Sequence, residues 1–151
     1  MTKASKPIAL ATLAIAIGSV APRRGYAEEG RTITVNVSTF RNAKGALGCR
    51  LYAGPDGFPK KLTHKLQQFV PIRGPSATCR FTGIAPGTYA VAVVHDENNN
   101  GQVDTNFLGV PTEGYGVSNN RTYALSWPKW DESKFQVRED KDVVLNVTLR
   151  Y

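Results

Sequence analysis

The sequence lacks the signatures on which an enzymatic reading would rest. It has no Gly-x-Ser-x-Gly elbow, no His-Glu-x-x-His pair, no phosphate-binding glycine loop and no serine placed with a plausible base. Histidine is scarce, with two in 151 residues. His95 closes an apolar stretch beside Asp96 and reads as a hydrogen-bonded structural residue, while His64 stands among lysines without an evident partner. Repeats, linkers and low-complexity tails are missing as well, which removes the multimodular adhesins. One apolar run stands out, from Pro7 to Ala21, and at roughly 15 residues it falls short of the ~20 needed to span a bilayer. No permanent membrane anchor is therefore expected. No cysteine closely follows that run, which argues against a lipoprotein.

What stands at the start of the chain is the layout of a secretory signal peptide: Lys3 and Lys6, then the apolar run, then small residues around Gly25 and Ala27. This predicts a cleaved segment 1–27, a single domain over 28–151, and a periplasmic or secreted destination. Arg23 and Arg24 lie unusually close to the proposed cut. The net charge of +7 is partly carried by those four basic residues. The mature part is only mildly basic, and nucleic-acid binding, which needs a clustered basic face, is not expected. Cys49 and Cys79 both lie in the retained part. An even pair in an oxidising compartment reads as a disulfide, and both alternate in phase with apolar neighbours, Leu47 and Leu51 for one and Phe81 for the other. Two buried free thiols are the alternative.

Along the retained chain the dominant pattern is alternation. Ile33, Val35 and Val37 face one way and Thr32, Thr34 and Asn36 the other, the period of a half-buried strand. Lys44–Ala53 repeats it and stops at the turn chemistry Gly54-Pro55-Asp56-Gly57. From Phe58 to Pro75 the periodicity fades, and Pro59, Pro71 and Pro75 preclude a long helix. That stretch reads as a crossing loop with one or two helical turns near 61–68. Further strands are expected at Ser76–Thr82, Thr88–His95, Ser133–Val137 and from Val143 to the C-terminus. The Thr88–His95 segment is apolar on both faces and so central. About seven short strands without an amphipathic helix predict an all-β fold, a Greek-key Ig-like or transthyretin-like β-sandwich.

Between these strands lies a long polar segment, Asp96–Arg121, and it holds the chemistry of most interest. Asp96, Asn98, Asn100 and Asp104 place side-chain oxygens at positions 1, 3, 5 and 9, with Gly101 at 6 and Gln102 offering its carbonyl at 7. Calcium takes about six to eight oxygen ligands, and such spacing wraps a short chain around one ion. Position 12 is Phe107 rather than a bidentate glutamate and no helices flank the loop, so an EF-hand is excluded. Glu113 or Asp131 would have to complete the shell. Two readings stand: a calcium loop with metal ligands Asp96, Asn98, Asn100, Gln102, Asp104 and Glu113, or a metal-free Asx-rich turn. A second polar cluster follows, of which Asn106, Tyr115, Ser118 and Asn119 are the candidate surface residues. Trp127, Trp130, Tyr115 and Tyr123 form either a stacking platform or a lid on the sandwich, and packing is favoured.

The block Gly83-Ile84-Ala85-Pro86-Gly87-Thr88-Tyr89, His95-Asp96-Glu97-Asn98 and Asp104-Thr105-Asn106-Phe107-Leu108-Gly109-Val110-Pro111-Thr112-Glu113-Gly114-Tyr115-Gly116 resembles the bacterial family DUF2141. The resemblance runs from about residue 32 to 150. It implies an exported sandwich with no established activity. The Pro-Gly-Thr-Tyr turn is also similar to transthyretin-like and carboxypeptidase-regulatory-like modules. The functional expectation is a non-enzymatic module with no catalytic residues, possessing a calcium-ordered loop that presents a surface to a protein or glycan. The alternatives are a carboxylate-dependent hydrolase or isomerase using His95, Asp96, Asp104 and Glu113, and a purely structural envelope component.

Overall fold

Alternation along Arg31–Ser38 turns Ile33, Val35 and Val37 fully inward, and this first strand, β1, organises a small sheet. In the computed structural model, which describes residues 30–61, 63, 65–121 and 126–151, β1 pairs antiparallel with β4 (Ser76–Ile84) and parallel with β8 (Val143–Thr148). A larger sheet is built on β2 (Ala46–Tyr52) and β5 (Gly87–Asp96), antiparallel neighbours in register from Ala46 opposite Asp96 to Tyr52 opposite Ala90. Strand β3 (Leu66–Pro71) flanks β2, and β5 also pairs with β6 (Gly114–Val117) and β7 (Phe135–Val137). A helical turn, α1 (Trp130–Ser133), precedes β7. The fold is all-β, with two sheets and eight strands among the described residues where about seven were expected. The proposed signal segment 1–27, His64 and Tyr123 lie outside the described residues. No helix among the described residues is long and apolar enough to cross a membrane.

The core lies between the sheets. Leu47, Cys49, Leu51, Tyr89, Val91 and Val93 come from the larger sheet, and Ile33, Val35, Val37, Cys79, Phe81 and Val147 from the smaller. Side-chain alternation turns these residues to the facing sides of the two sheets, while the far side of β2 and β5 is covered as well. Cys49 and Cys79 are disulfide-bonded, with Cα atoms 6.5 Å apart, so a covalent link joins β2 in one layer to β4 in the other. The central position expected for Thr88–His95 holds, with Ala90, Ala92 and Val94 turned to the far side of the sheet from Tyr89, Val91 and Val93.

One expectation needs correcting. Residues 66–71 are a strand and not a helical or irregular crossing. Pro71 ends β3, and β3 is an edge strand, where a proline need not break a ladder. Its alternation is weak because none of its six side chains is fully buried, so periodicity alone could not reveal it. The flanks are closed by side chains. Gln68 of β3 accepts from the backbone N–H of Arg80 at 2.9 Å and donates to the Arg80 carbonyl at 2.5 Å. On the other flank Asn120 accepts from the N–H of Thr148 at 2.9 Å and donates to the carbonyl of Asn146 at 2.8 Å.

Candidate functional site

The register that pairs His95 with Gly114 makes the intervening chain leave and return at adjacent points of the larger sheet. Two buried carboxylates stand at its roots, Asp96 where β5 ends and Glu113 where β6 begins. Both point back into the loop. Asp96 accepts from the N–H of Asn100 at 3.0 Å and of Gly101 at 2.8 Å, one on each oxygen. The left-handed backbone at Asn99 (φ 59°) and Gly101 (φ 75°) makes the tight turn around it; asparagine and glycine tolerate that region best. Glu113 accepts from the N–H of Glu97 at 2.9 Å and of Asp104 at 3.1 Å. Asp104, more exposed, accepts the side-chain amides of Asn98 at 2.7 Å and Asn100 at 2.9 Å.

The residues expected as calcium ligands are thus brought into one loop, with the three carboxylates each hydrogen-bonded on both oxygens. Oxygen donors of this kind suit a hard cation, and an ionised carboxylate retains lone pairs beyond the two used here. Among the described residues no three His, Cys, Asp or Glu side chains converge to hold a metal, so any shell would draw on Asn98 and Asn100, whose amide nitrogens now face Asp104. Asp131 is elsewhere, bonded to Lys134 at 2.7 Å.

Beyond Asp104 the chain forms a finger. Thr105 bridges Pro111, and the N–H of Thr112 donates to the Asp104 carbonyl at 2.8 Å. At the tip, the Asn106 side-chain oxygen accepts from the N–H of Leu108 at 2.9 Å and of Val110 at 3.1 Å, while the Gly109 N–H donates to the Asn106 carbonyl. Asn106 therefore serves as the internal clamp of the tip. With the polar groups turned inward, Phe107 is 95% exposed, Leu108 72% and Val110 43%.

Behind the loop, His95 is completely buried with both ring nitrogens engaged. Nε2 meets the Lys44 carbonyl at 2.9 Å, an acceptor, so Nε2 carries the proton; Nδ1 then accepts from the Tyr151 hydroxyl at 2.7 Å. The Arg41 N–H donates to that hydroxyl at 3.0 Å. Left-handed Gly45 (φ 69°) lets the chain pass against the Asp96 carbonyl, where a Cβ would not fit. Arg41 lies over the Tyr151 ring at 4.6 Å and pairs with Glu97, which also accepts from the Asn42 amide at 2.9 Å. Burial pushes the Glu97 carboxyl up, but hydrogen bonds from Asn42 and Arg41, with the Arg41 charge, outweigh it and hold the carboxyl below the usual carboxylate range. For the Tyr151 hydroxyl, burial dominates and raises it.

The second polar cluster is not one surface, and the expectation is corrected for Ser118. Residues 114–117 are β6, and Ser118 is fully buried, accepting from the Val91 N–H at 3.0 Å and donating to the Ser133 carbonyl at 2.5 Å. Asn119 donates to the carbonyls of Glu132 and Lys134, tying α1 to the sheet. Tyr115 stacks at a tilt on Trp127 with ring centres 5.9 Å apart, and Trp130 meets Phe58 edge-on at 5.8 Å, so these aromatics pack over the sheet as favoured. Sequence reasoning passed over Arg41, Arg50, Phe107, Leu108 and Tyr151. The apolar group Phe107-Leu108-Gly109-Val110 inside a polar loop was a visible signal; Arg50, a charge on an otherwise alternating strand, was another.

No curated protein and no solved structure matches the sequence. A family model described as an uncharacterized protein conserved in bacteria, DUF2141, matches residues 35–145. That span takes in most of the two sheets and the whole of the pinned loop, and the chain belongs to the DUF2141 family.

Proposed function

We propose that this protein works outside the cytoplasm, in the periplasm or after secretion, as a non-catalytic binding module whose finger meets a protein partner. The observation that carries this reading is the exposure of Phe107, Leu108 and Val110 on a loop held by inward hydrogen bonds. Burying one such side chain in a partner is worth about 1.5–3 kcal/mol, and a pre-ordered backbone lowers the entropy lost on binding. The disulfide and the signal-like start support the location. Engagement of both His95 nitrogens supports a non-catalytic role, because a general base needs a free lone pair. In a test by photo-crosslinking, benzoylphenylalanine is placed at position 108 or, as control, at 144, a 63% exposed valine on β8. Discrete adducts in the native envelope are expected from position 108 and not from 144. Equal labelling from both would remove the finger as the contact.

Calcium belongs to the same proposal, as a stiffener of the loop rather than a catalyst. Asp96, Asp104 and Glu113 lie in one loop with their oxygens turned onto its N–H groups and amides, Glu97 stands beside them paired with Arg41, and oxygen donors of this kind suit an added hard cation. Calcium at ~100 times its dissociation constant would add about 2.7 kcal/mol, a rise of several degrees in the melting midpoint relative to chelator. The rise is expected to vanish in Asp104→Asn. Identical midpoints for the parent with and without calcium would leave the loop as a turn stapled by its own amides.

A further inference from the structure

We propose that Asn100 is a site of spontaneous modification, where the side-chain amide is lost by ring closure onto the Gly101 nitrogen, and that Asp96 is the catch that holds this reaction back. Asparagine followed by glycine occurs once in the sequence, at 100–101. The Gly101 nitrogen and the Asn100 side-chain carbon are held close by the covalent chain and can close a five-membered ring; glycine, having no Cβ, leaves that nitrogen open to approach. Asn100 is exposed, so water reaches it. The chemistry balances with water as the one co-reactant. The Gly101 nitrogen gives up its proton and attacks Cγ of Asn100. The N–Cγ bond forms, the Cγ–Nδ2 bond breaks, and Nδ2 leaves as ammonia, the proton going with it. Water then opens the cyclic imide at one of its two carbonyls, giving aspartate where the new N–Cγ bond breaks and isoaspartate where the original peptide C–N bond breaks. Either product carries a free carboxylate at position 100.

In the folded loop each group that this step uses is engaged. The Gly101 N–H donates to Asp96 at 2.8 Å, the Asn100 Nδ2 donates to Asp104 at 2.9 Å, and the Asn100 Oδ1 accepts from the Gln102 N–H at 2.8 Å. The first of these bonds decides the rate. The nitrogen attacks only after losing its proton, and an anion formed there would face the carboxylate of Asp96, which is fixed at the end of β5 and buried. While that bond holds, the amide survives; when the turn opens, ring closure can begin. Conversion is one-way, because the ammonia is lost. It leaves a negative group where an amide donated to Asp104, so repulsion replaces a hydrogen bond and the original turn is not restored. The inference rests on neither the finger's partner nor calcium.

The test incubates the disulfide-intact parent at mildly alkaline pH, folded in buffer or unfolded in guanidinium chloride, and follows the peptide containing residue 100 by mass spectrometry. Loss of the amide is expected to be slower in the folded protein by about tenfold or more, since a hydrogen bond to a charged acceptor must first open. The slowing should match the protection of the Gly101 amide against hydrogen exchange within a few-fold, because both reactions wait for the same bond. Asp96→Ala is expected to bring the folded rate close to the unfolded one. Equal rates in the folded and unfolded parent, or a folded Asp96→Ala that loses its amide no faster than the parent, would overturn the proposal. Should Asp96→Ala fail to fold, the parent decides alone: slowing that tracks Gly101 protection supports the proposal, and slowing unrelated to it overturns it.

Discussion

Replacement of Cys49 and Cys79 by alanine is expected to lower the free energy of unfolding by about 3.5 kcal/mol, a drop on the order of 10 °C in midpoint for a domain of this size. The cross-link joins residues 30 apart in sequence and two different sheets, so cutting it releases chain entropy in the unfolded state and a layer-to-layer tie in the folded one. Both cysteines are fully buried, and the alanine pair adds only small cavities; a serine pair would add two buried hydroxyls, at about 1–3 kcal/mol each if left without partners. Urea unfolding of the alanine pair beside the oxidised parent measures the difference. A change under about 1 kcal/mol would mean that the packed faces of the two sheets define the fold without the bond.

The second large effect is expected at Asp96. Asp96→Ala removes the acceptor of the Gly101 N–H and one of the two acceptors of the Asn100 N–H, which also reaches Asn98 Oδ1, and a donor left without an acceptor costs about 1–3 kcal/mol where water does not replace it. Gly101 is also the residue whose carbonyl receives Arg50, so release of the turn disturbs a buried guanidinium as well. A total near 2–4 kcal/mol is anticipated, confined in space to the loop. Hydrogen exchange reads this directly: the Asn100 and Gly101 amides should lose protection in the variant, while those of β1, β2 and β5 stay slow. Unchanged exchange at 100 and 101 would show that Asp96 does not hold the turn.

The sandwich was legible because Ile33, Val35 and Val37 lie on a strand buried on a single face, where alternation is strict, and Leu47, Cys49 and Leu51 keep the same period on a strand whose second face carries Gly48 and Arg50. The disulfide was legible through the same parity. β3 was not, since an edge strand with few inward apolar side chains carries almost no period. Nor was β6, four residues with two glycines, held by pairing with β5 rather than by its own propensity. At the loop, the sequence displayed the carboxylates and asparagines but not their direction. Whether Asp96 and Glu113 face solvent or the loop's own N–H groups depends on the register of His95 against Gly114, a long-range property. Ser118 was misplaced for the same reason: its polarity suggested exposure, whereas its hydroxyl replaces a missing backbone partner for Val91.

The primary amides of Gln68 and Asn120 have a consequence for self-association. A bare strand edge is a template onto which a second copy of the same sequence can zip, the first step toward a fibre. A carboxamide offers one acceptor and one donor, much as a peptide unit does, and so can impersonate a single link of a neighbouring strand. Gln68 plays that part along β4 and Asn120 along β8, the two outer strands of the smaller sheet. Each blocks growth at the point where a newcomer would first gain a foothold, at the cost of one side chain. Such stoppers would keep a narrow sheet from recruiting its own kind.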